Sequence, residues 1–383
     1  MEKFPRGKAA IVGAATFGIG EAHGFDAIDI AAHATIKALK SAGLKPSDAD
    51  ALFICLPSDP LSGLSMAQYL GIHPKITDNN RTGGSSFQSH VMWAALALEA
   101  GLCDVAVVTY GSVQRTESGK LQNTIKPDPY ESLYKPRVPV SAYAMAAARH
   151  MHQYGTTREQ LAEVAVAARQ WANLNPEAFA KGDLSIDDVL GARRISDPLG
   201  QYDCCLVTDG AAAIVLTRAE RAKDLPNRPV HVLGAAAATF HNQISAMPDL
   251  TVTAASSSGP RAFEQAGVKP SDIDVLEVYD AFTINTILFL EDLGFCPKGE
   301  GGRFVEGGRI APGGDIPVNT NGGGLSCVHP GMYGLFTIVE AYQQLAGTAG
   351  ARQVRDPNLA VAHGNGGFLS SQATLVLGTP ETV

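Results

Sequence analysis

The chain has 383 residues, 45% hydrophobic and 18% charged, enough for one large core or two domains and too apolar for a disordered segment. Its net charge of −8, with no compensating basic cluster, excludes nucleic acid and anionic membrane as main partners. The six cysteines (Cys55, Cys103, Cys204, Cys205, Cys296, Cys327) show no CxxC spacing, which predicts reduced, buried thiols and no metal site.

The N-terminus, MEKFPRGKAAIVGAA, has no long apolar core before a cleavage site, so no signal peptide and a cytoplasmic location are expected. AAIVGAAT (9–16) predicts a strand, ATIKALKSAG a helix with apolar positions at helical spacing, and ALFICL a short strand covered on both faces. NNRTGGSSFQSHVMW, from Asn79 to Trp93, then passes through two glycines and two serines into a helical pattern. Such a corner aims backbone N–H groups and a small side chain at whatever stands before the helix. Ser85 and Ser86 are the candidate nucleophiles there, but no GxSxG elbow surrounds them, and His90 falls inside the helix pattern.

The apolar run from Val91 to Val108 is interrupted by Glu99, Gly101 and Asp104, so it predicts a buried helix and a buried strand, with no membrane span. From Ser112 to about Pro198 the pattern changes to tyrosines, prolines and arginines, including YKPRVPVSAYAMAAARHMHQYG. This predicts a largely helical insertion lying over the site as a lid, its Tyr130–Tyr154 portion bordering a roomy pocket. DCCLVTDGAAAIVLT (203–217) returns to the core as a strand.

From about Asn227 the chain repeats itself. AGLKPSDADAL (42–52) and AGVKPSDIDVL (266–276) coincide at eight of eleven positions, at an offset of 224. VHVLGAAAAT (230–239) echoes the first strand, GGG at 322–324 echoes Gly83–Gly84, and NLAVAHG (358–364) echoes DVAVVTYG (104–111). The expected fold is α/β, with two β–α–β–α–β units, residues 1–226 and 227–383. Each would form a mostly parallel sheet, and together they would pack as a five-layer α/β/α/β/α body with loops converging at the strand ends. The glycines of GEGGR (299–303) and EGGRIAPGG (306–314) punctuate loops and form no P-loop.

The duplicated order, with DGAAAIVL, EVYDAF, NTNGGGLSCVHPGMYG and HGNGG, resembles the thiolase superfamily over essentially the whole chain. The branch it resembles most is that of sterol-carrier-protein-X-like, or lipid-transfer-protein, thiolases. The resemblance implies the duplicated thiolase-like fold and chemistry on a carbon–carbon bond next to a coenzyme A thioester. It also implies four chemical groups: a cysteine at the first-half corner, a second in a CxGGG-like motif, a GHP histidine, and an Asn or His in an NEAF- or HDAF-like motif. Carried over, the first falls on Gly84, or with a slip on Ser85; the second on His363; the third on His329; the fourth on Tyr279. Only the GHP histidine survives.

Each position has a plain alternative. His329 precedes Pro330 and an apolar helix, where a histidine also serves as a polar cap; within the motif it is expected to stabilise an enolate. His363 is either a strand-end histidine satisfied locally or the carrier of the missing cysteine's proton, and Asn365 a backbone oxyanion donor. Tyr279 is a half-buried tyrosine or an acid/base, with Asp280 orienting its neighbours. Cys327 and Tyr333 flank His329 and are expected to reach the cavity, Cys327 as a buried thiol or a displaced nucleophile.

Three readings follow. One is acyl transfer, as in acetyl-CoA acetyltransferases and 3-ketoacyl-CoA thiolases, by an atypical nucleophile. Another is retro-aldol cleavage of a β-hydroxyacyl-CoA without an acyl-enzyme. The last is a non-catalytic acyl-CoA or lipid-binding scaffold. The resemblance favours the lyase, since cysteine-less relatives in steroid side-chain degradation look like this and work with a small zinc-ribbon/OB-fold partner. It further implies a homodimer, a coenzyme A thioester as substrate and no permanently bound cofactor.

Overall fold

The computed structural model describes residues 4–118 and 128–383; residues 119–127 of the expected insertion lie outside the described residues. The first repeat runs β1 (Ala9–Gly20), α1 (Ala27–Ser41), β2 (Ala51–Ile54), α2 (Ser62–Leu70), β3 (Ile76–Asp78), α3 (Ser86–Glu99) and β4 (Val105–Ser112). Next come α4 (Gln114–Ser118), α5 (Val140–Tyr154), α6 (Arg158–Leu174) and α7 (Ile186–Gly191). A small hairpin of β5 (Arg194–Ser196) and β6 (Leu199–Gly200) leads back to β7 (Asp209–Arg218) and the short α8 (Ala219–Ala222). The second repeat runs β8 (Val230–Thr239), α9 (Ala255–Ala266), β9 (Val275–Val278), α10 (Thr283–Asp292), α11 (Gly301–Phe304), α12 (Gly334–Ala346), β10 (Leu359–Gly366) and β11 (Ser371–Gly378).

Nine strands form a sheet in the order β3-β2-β4-β7-β1-β8-β11-β10-β9. The two half-sheets meet edge to edge where β1 pairs with β8 over Ala10↔His231 and Ile11↔Val230. The expectation of mostly parallel pairing is corrected: β7 is antiparallel to both β4 and β1, and β11 to both β10 and β8. Only β2 with its two neighbours and β9 with β10 are parallel. The reason lies in the connections. β10 turns into β11 through four residues, too few for the crossover that a parallel pair needs.

Helix α1 covers the outer face of the first half-sheet and α9 that of the second, while α3 and α12 pack against strands of both halves and against each other. This is the five-layer α/β/α/β/α body. The middle helices are accordingly apolar almost all round; in α12 every residue from Gly334 to Tyr342 is buried. Among the described residues no helix is long and apolar enough to cross a membrane.

The duplication reaches individual hydrogen bonds. Asp50 accepts from the backbone N–H groups of Asp104 and Val105, and Asp274, 224 positions later, accepts from those of Asn358 and Leu359. Each carboxylate ties the entry of one strand to the start of its parallel neighbour. Gly13 and Gly234 mark the same close helix–strand approach: a Cβ would stand 2.4 Å from the Ala38 carbonyl oxygen in one and 2.2 Å from that of Ala262 in the other.

Candidate active site

A cleft of about 540 Å³ opens where loops of both repeats converge. Thr82, Gly83 and Gly84 enter it from the corner before α3, and Ser112 from the end of β4. Pro139 and Tyr143 enter from the insertion, Thr239 from the end of β8 and His241 from just beyond it, and Tyr279 from just after β9. His329, Arg81 and the segment Asn365–Phe368 also line it. Tyr143 stacks on Phe282, ring centroids 4.4 Å apart, and both line the cleft, so the insertion contributes to one wall. No carboxylate lines the cleft among the described residues. Proton transfer there falls to imidazole, phenol or thiol.

At its centre the Tyr279 hydroxyl lies 3.0 Å from His329 Nε2 and 3.4 Å from the Gly331 carbonyl oxygen, with the two rings edge to face. Burial lowers the His329 pKa to about 4 and raises that of Tyr279 well above the usual phenol value. A neutral imidazole therefore meets a neutral phenol. His329 Nδ1 is buried without a partner. The VHPG turn is pinned around it: the His329 N–H donates to Thr208 Oγ1, its carbonyl accepts from Gln114, and the Tyr110 hydroxyl donates to the Pro330 carbonyl.

The corner explains itself through glycine. A Cβ on Gly84 would stand 2.0 Å from Tyr279 Cε2, so the tyrosine ring takes the space a side chain would need. Gly83 has φ +88, and a Cβ there would meet Gly366 Cα at 2.7 Å. The corner and the HGNGG segment thus touch backbone to backbone.

Several expected residues stand elsewhere. Ser85 and Ser86 are buried behind the corner; the Ser85 hydroxyl donates to Ser371 Oγ, and Ser86 Oγ accepts from the Thr82 N–H. His90 bonds the Asn80 carbonyl from within α3 and touches neither serine's hydroxyl. His363 does not line the cleft. It is fully buried, with Nδ1 2.9 Å from Thr374 Oγ1 and Nε2 3.0 Å from Gln372 Oε1, and burial lowers its pKa to about 3. It precedes Asn365 by two residues on the same face of β10 and lies farther along the strand from the cleft, which Asn365 does line.

Asp280, Cys327 and Tyr333 also lie off the cleft. Asp280 is buried, with its pKa raised to about 7 by desolvation, and accepts from the Gly324 N–H at 2.6 Å. It holds a single π-type turn, Gly323–Cys327, that delivers the VHPG segment. Cys327 faces Asn175, and burial pushes its thiol far above the ordinary range. The Tyr333 hydroxyl donates to Asn321, away from the cleft, although its ring abuts that of Tyr279.

Thr82, Tyr143, Cys205 and His241 line the cleft without having been singled out. Thr82 carries a signal in the sequence, a hydroxyl four residues before the first residue of α3, but the family motif falls on Gly84 and Ser85, nearer the helix. His241 carried none: it is buried, its Nε2 bonds the Phe368 carbonyl, and its Nδ1 has no partner.

A duplicated five-layer body with its cleft between the repeats and a histidine in a His-Pro-Gly turn belongs to a known class of acyl-CoA enzymes, and this chain is a member of the thiolase superfamily. Residues 236–379 match the Thiolase C-terminal domain-like family. An acetyl-CoA acetyltransferase of Methanothermobacter thermautotrophicus is 34% identical, covering 94% of this chain and 96% of that protein. A 17-hydroxy-3-oxo-4-pregnene-20-carboxyl-CoA lyase of Mycobacterium tuberculosis is 33% identical, over 90% of this chain and 92% of that protein. Among solved structures, an Ltp2-ChsH2(DUF35) aldolase superposes with a TM-score of 0.89 at 30% identity, covering 98% of this chain and 99% of that one.

Proposed function

We propose that the chain cleaves a β-hydroxyacyl-CoA thioester by a retro-aldol step, without an acyl-enzyme. The observation that carries this reading is the Tyr279 ring seated in the space of a side chain at Gly84, its hydroxyl bonded to His329. The β-hydroxyl gives its proton to the Tyr279 oxygen as the phenol passes its own to His329 Nε2. The Cα–Cβ bond breaks, its electron pair moves into the thioester carbonyl as an enolate, and the hydroxyl carbon leaves as a ketone or aldehyde. His329 then returns its proton through Tyr279 to Cα, which restores both residues and leaves a shortened acyl-CoA. Before the step neither partner holds a charge that burial would penalise, and the imidazolium formed during it has the enolate as its counter-charge.

The lyase and the aldolase among the similar proteins support this reading, and the aldolase supports a small partner protein as well. The chemistry requires no permanently bound cofactor. The acetyltransferase relative keeps acyl transfer as the second reading, with the Thr82 hydroxyl or the Cys205 thiol, both at the cleft, as its nucleophile. Intact-mass measurement after exposure to acetoacetyl-CoA and to a panel of β-hydroxyacyl-CoA thioesters separates the two. The expected result is consumption of a β-hydroxyacyl-CoA with no mass increase. An acyl-sized adduct mapping to Thr82 or Cys205 would overturn the lyase reading. Neither adduct nor turnover, even with a small zinc-ribbon/OB-fold partner added, would leave the binding scaffold.

A further inference from the structure

From the cleft wall inward, five side chains form one hydrogen-bonded row whose direction is set by a single carbonyl. The Tyr143 hydroxyl donates to the Gly367 carbonyl at 3.0 Å, and a carbonyl can only accept. With its one proton committed, Tyr143 must accept from Asn365 Nδ2, 2.8 Å away. Asn365 Oδ1 then faces Gln372 Nε2 at 2.7 Å, which turns Gln372 Oε1 toward His363 Nε2 at 3.0 Å. That nitrogen must carry the imidazole proton, so Nδ1 accepts from Thr374 Oγ1 at 2.9 Å. Asn365 pairs with Gln372 and His363 with Thr374 across β10 and β11, so the row is built into the register of one hairpin. Its inner part has no contact with solvent: His363, Gln372 and Thr374 are fully buried.

Donation therefore runs one way along the row, from the buried Thr374 to Asn365 and Tyr143 at the cleft. Aligned dipoles of this kind polarise one another, and their positive end stabilises negative charge developing in front of it. Asn365 spends one amide hydrogen on Tyr143, and among the described residues the other takes no protein partner. Asn365 itself lines the cleft.

We infer that the Asn365 side-chain amide donates to the thioester oxygen of a bound acyl-CoA, and that His363 and Gln372 are positioning residues that hold this amide the right way round. The inference rests on the acyl-CoA reading above and assigns His363 no proton transfer. It also accounts for a histidine next to the buried end of the row. A neutral imidazole offers one donor and one acceptor on opposite sides, and here it joins Thr374 to Gln372.

The test is the infrared carbonyl stretch of [1-13C]acetyl-CoA bound to the full chain, which reads thioester polarisation without turnover. In the unsubstituted protein the band is expected to move to lower frequency than in solution. Gln372→Glu sets a carboxylate against Asn365 Oδ1, which turns the amide over, and the displacement should be lost; His363→Phe, which removes the donor to Gln372, should weaken it. Asn365→Ala should abolish it. With a substrate found in the panel above, Asn365→Ala should lower kcat about 10²- to 10³-fold with little change in KM. A displaced band in the native protein that persists in all three variants, each with native circular dichroism, would overturn the inference and leave the acyl-CoA reading standing. No bound acetyl-CoA band in the native protein would remove that reading and the inference with it. Should Gln372→Glu fail to fold, His363→Phe and Asn365→Ala decide the matter alone.

Discussion

The Gly84–Tyr279 contact makes the strongest demand on individual residues. Gly84→Ala puts a methyl carbon inside the tyrosine ring, and overpacking of this kind costs about 1–3 kcal/mol. It should also push the phenol off His329, so urea unfolding should report the stability loss while turnover falls with it. Tyr279→Phe keeps the ring and removes only the hydroxyl. Turnover is expected to drop about 10²- to 10⁴-fold, the usual worth of a positioned acid or base, with a far smaller effect on stability than Gly84→Ala. Equal activity in Tyr279→Phe would remove the relay. His363 yields a pH prediction. Its folded pKa of about 3 lies below the unfolded 6.5, so the unfolded chain binds the proton more tightly and this group costs stability as pH falls below 6.5. The stability lost on replacing His363 by Phe should therefore shrink between pH 7 and pH 5, by about 1.4 kcal/mol per pH unit below 6.5. Thermal melts of both proteins at the two pH values check this.

Among the elements, the two copies of the strand-entry aspartate are an internal control. Asp50 and Asp274 each accept backbone N–H groups at the start of β4 and β10. Asp50→Ala and Asp274→Ala should each destabilise by about 1–3 kcal/mol, because the freed N–H groups lose a charged acceptor. Denaturant midpoints of the single and double variants would show whether the two losses add, as distant sites do. The insertion follows a different logic. Its α5 carries a buried small-residue face, Ala142, Ala144, Ala146 and Ala147, and Tyr143 projects from it into the cleft. Sequence periodicity announced a helix there, but which aromatic of the tyrosine-rich stretch would meet the substrate depended on how that helix docks.

At the scale of the whole molecule, β3 ends the sheet, and Leu61, Leu64 and Trp93, all substantially exposed, stand on or beside the neighbouring helices. An unpaired edge flanked by exposed apolar side chains supports the proposed homodimer. Light scattering at micromolar concentration should give about twice the 40.1 kDa chain mass, and Trp93→Glu should lower it. A monomer before substitution would count against the dimer. The division expected at residue 226/227 lies in the connection between α8 and β8.

The repeat at offset 224, the alternation of strands and helices, the helical insertion and the motifs around Tyr279 and His329 were all determined by sequence, because each rests on spacing along the chain. Spacing could not tell parallel from antiparallel return, which depended on whether a connection crosses the sheet. Nor could it tell which small residue at the corner faces the cleft: Ser85 and Ser86 are adjacent to Gly84, yet a turn of backbone sends them inward. Motif position placed His363 at a reacting centre, but it sits two residues deeper along β10 than the cleft-lining Asn365, where Thr374 and Gln372 enclose it. Thr82, Tyr143 and His241 come from segments far apart in the chain, and only tertiary packing, which ignores sequence distance, could bring them to one cleft.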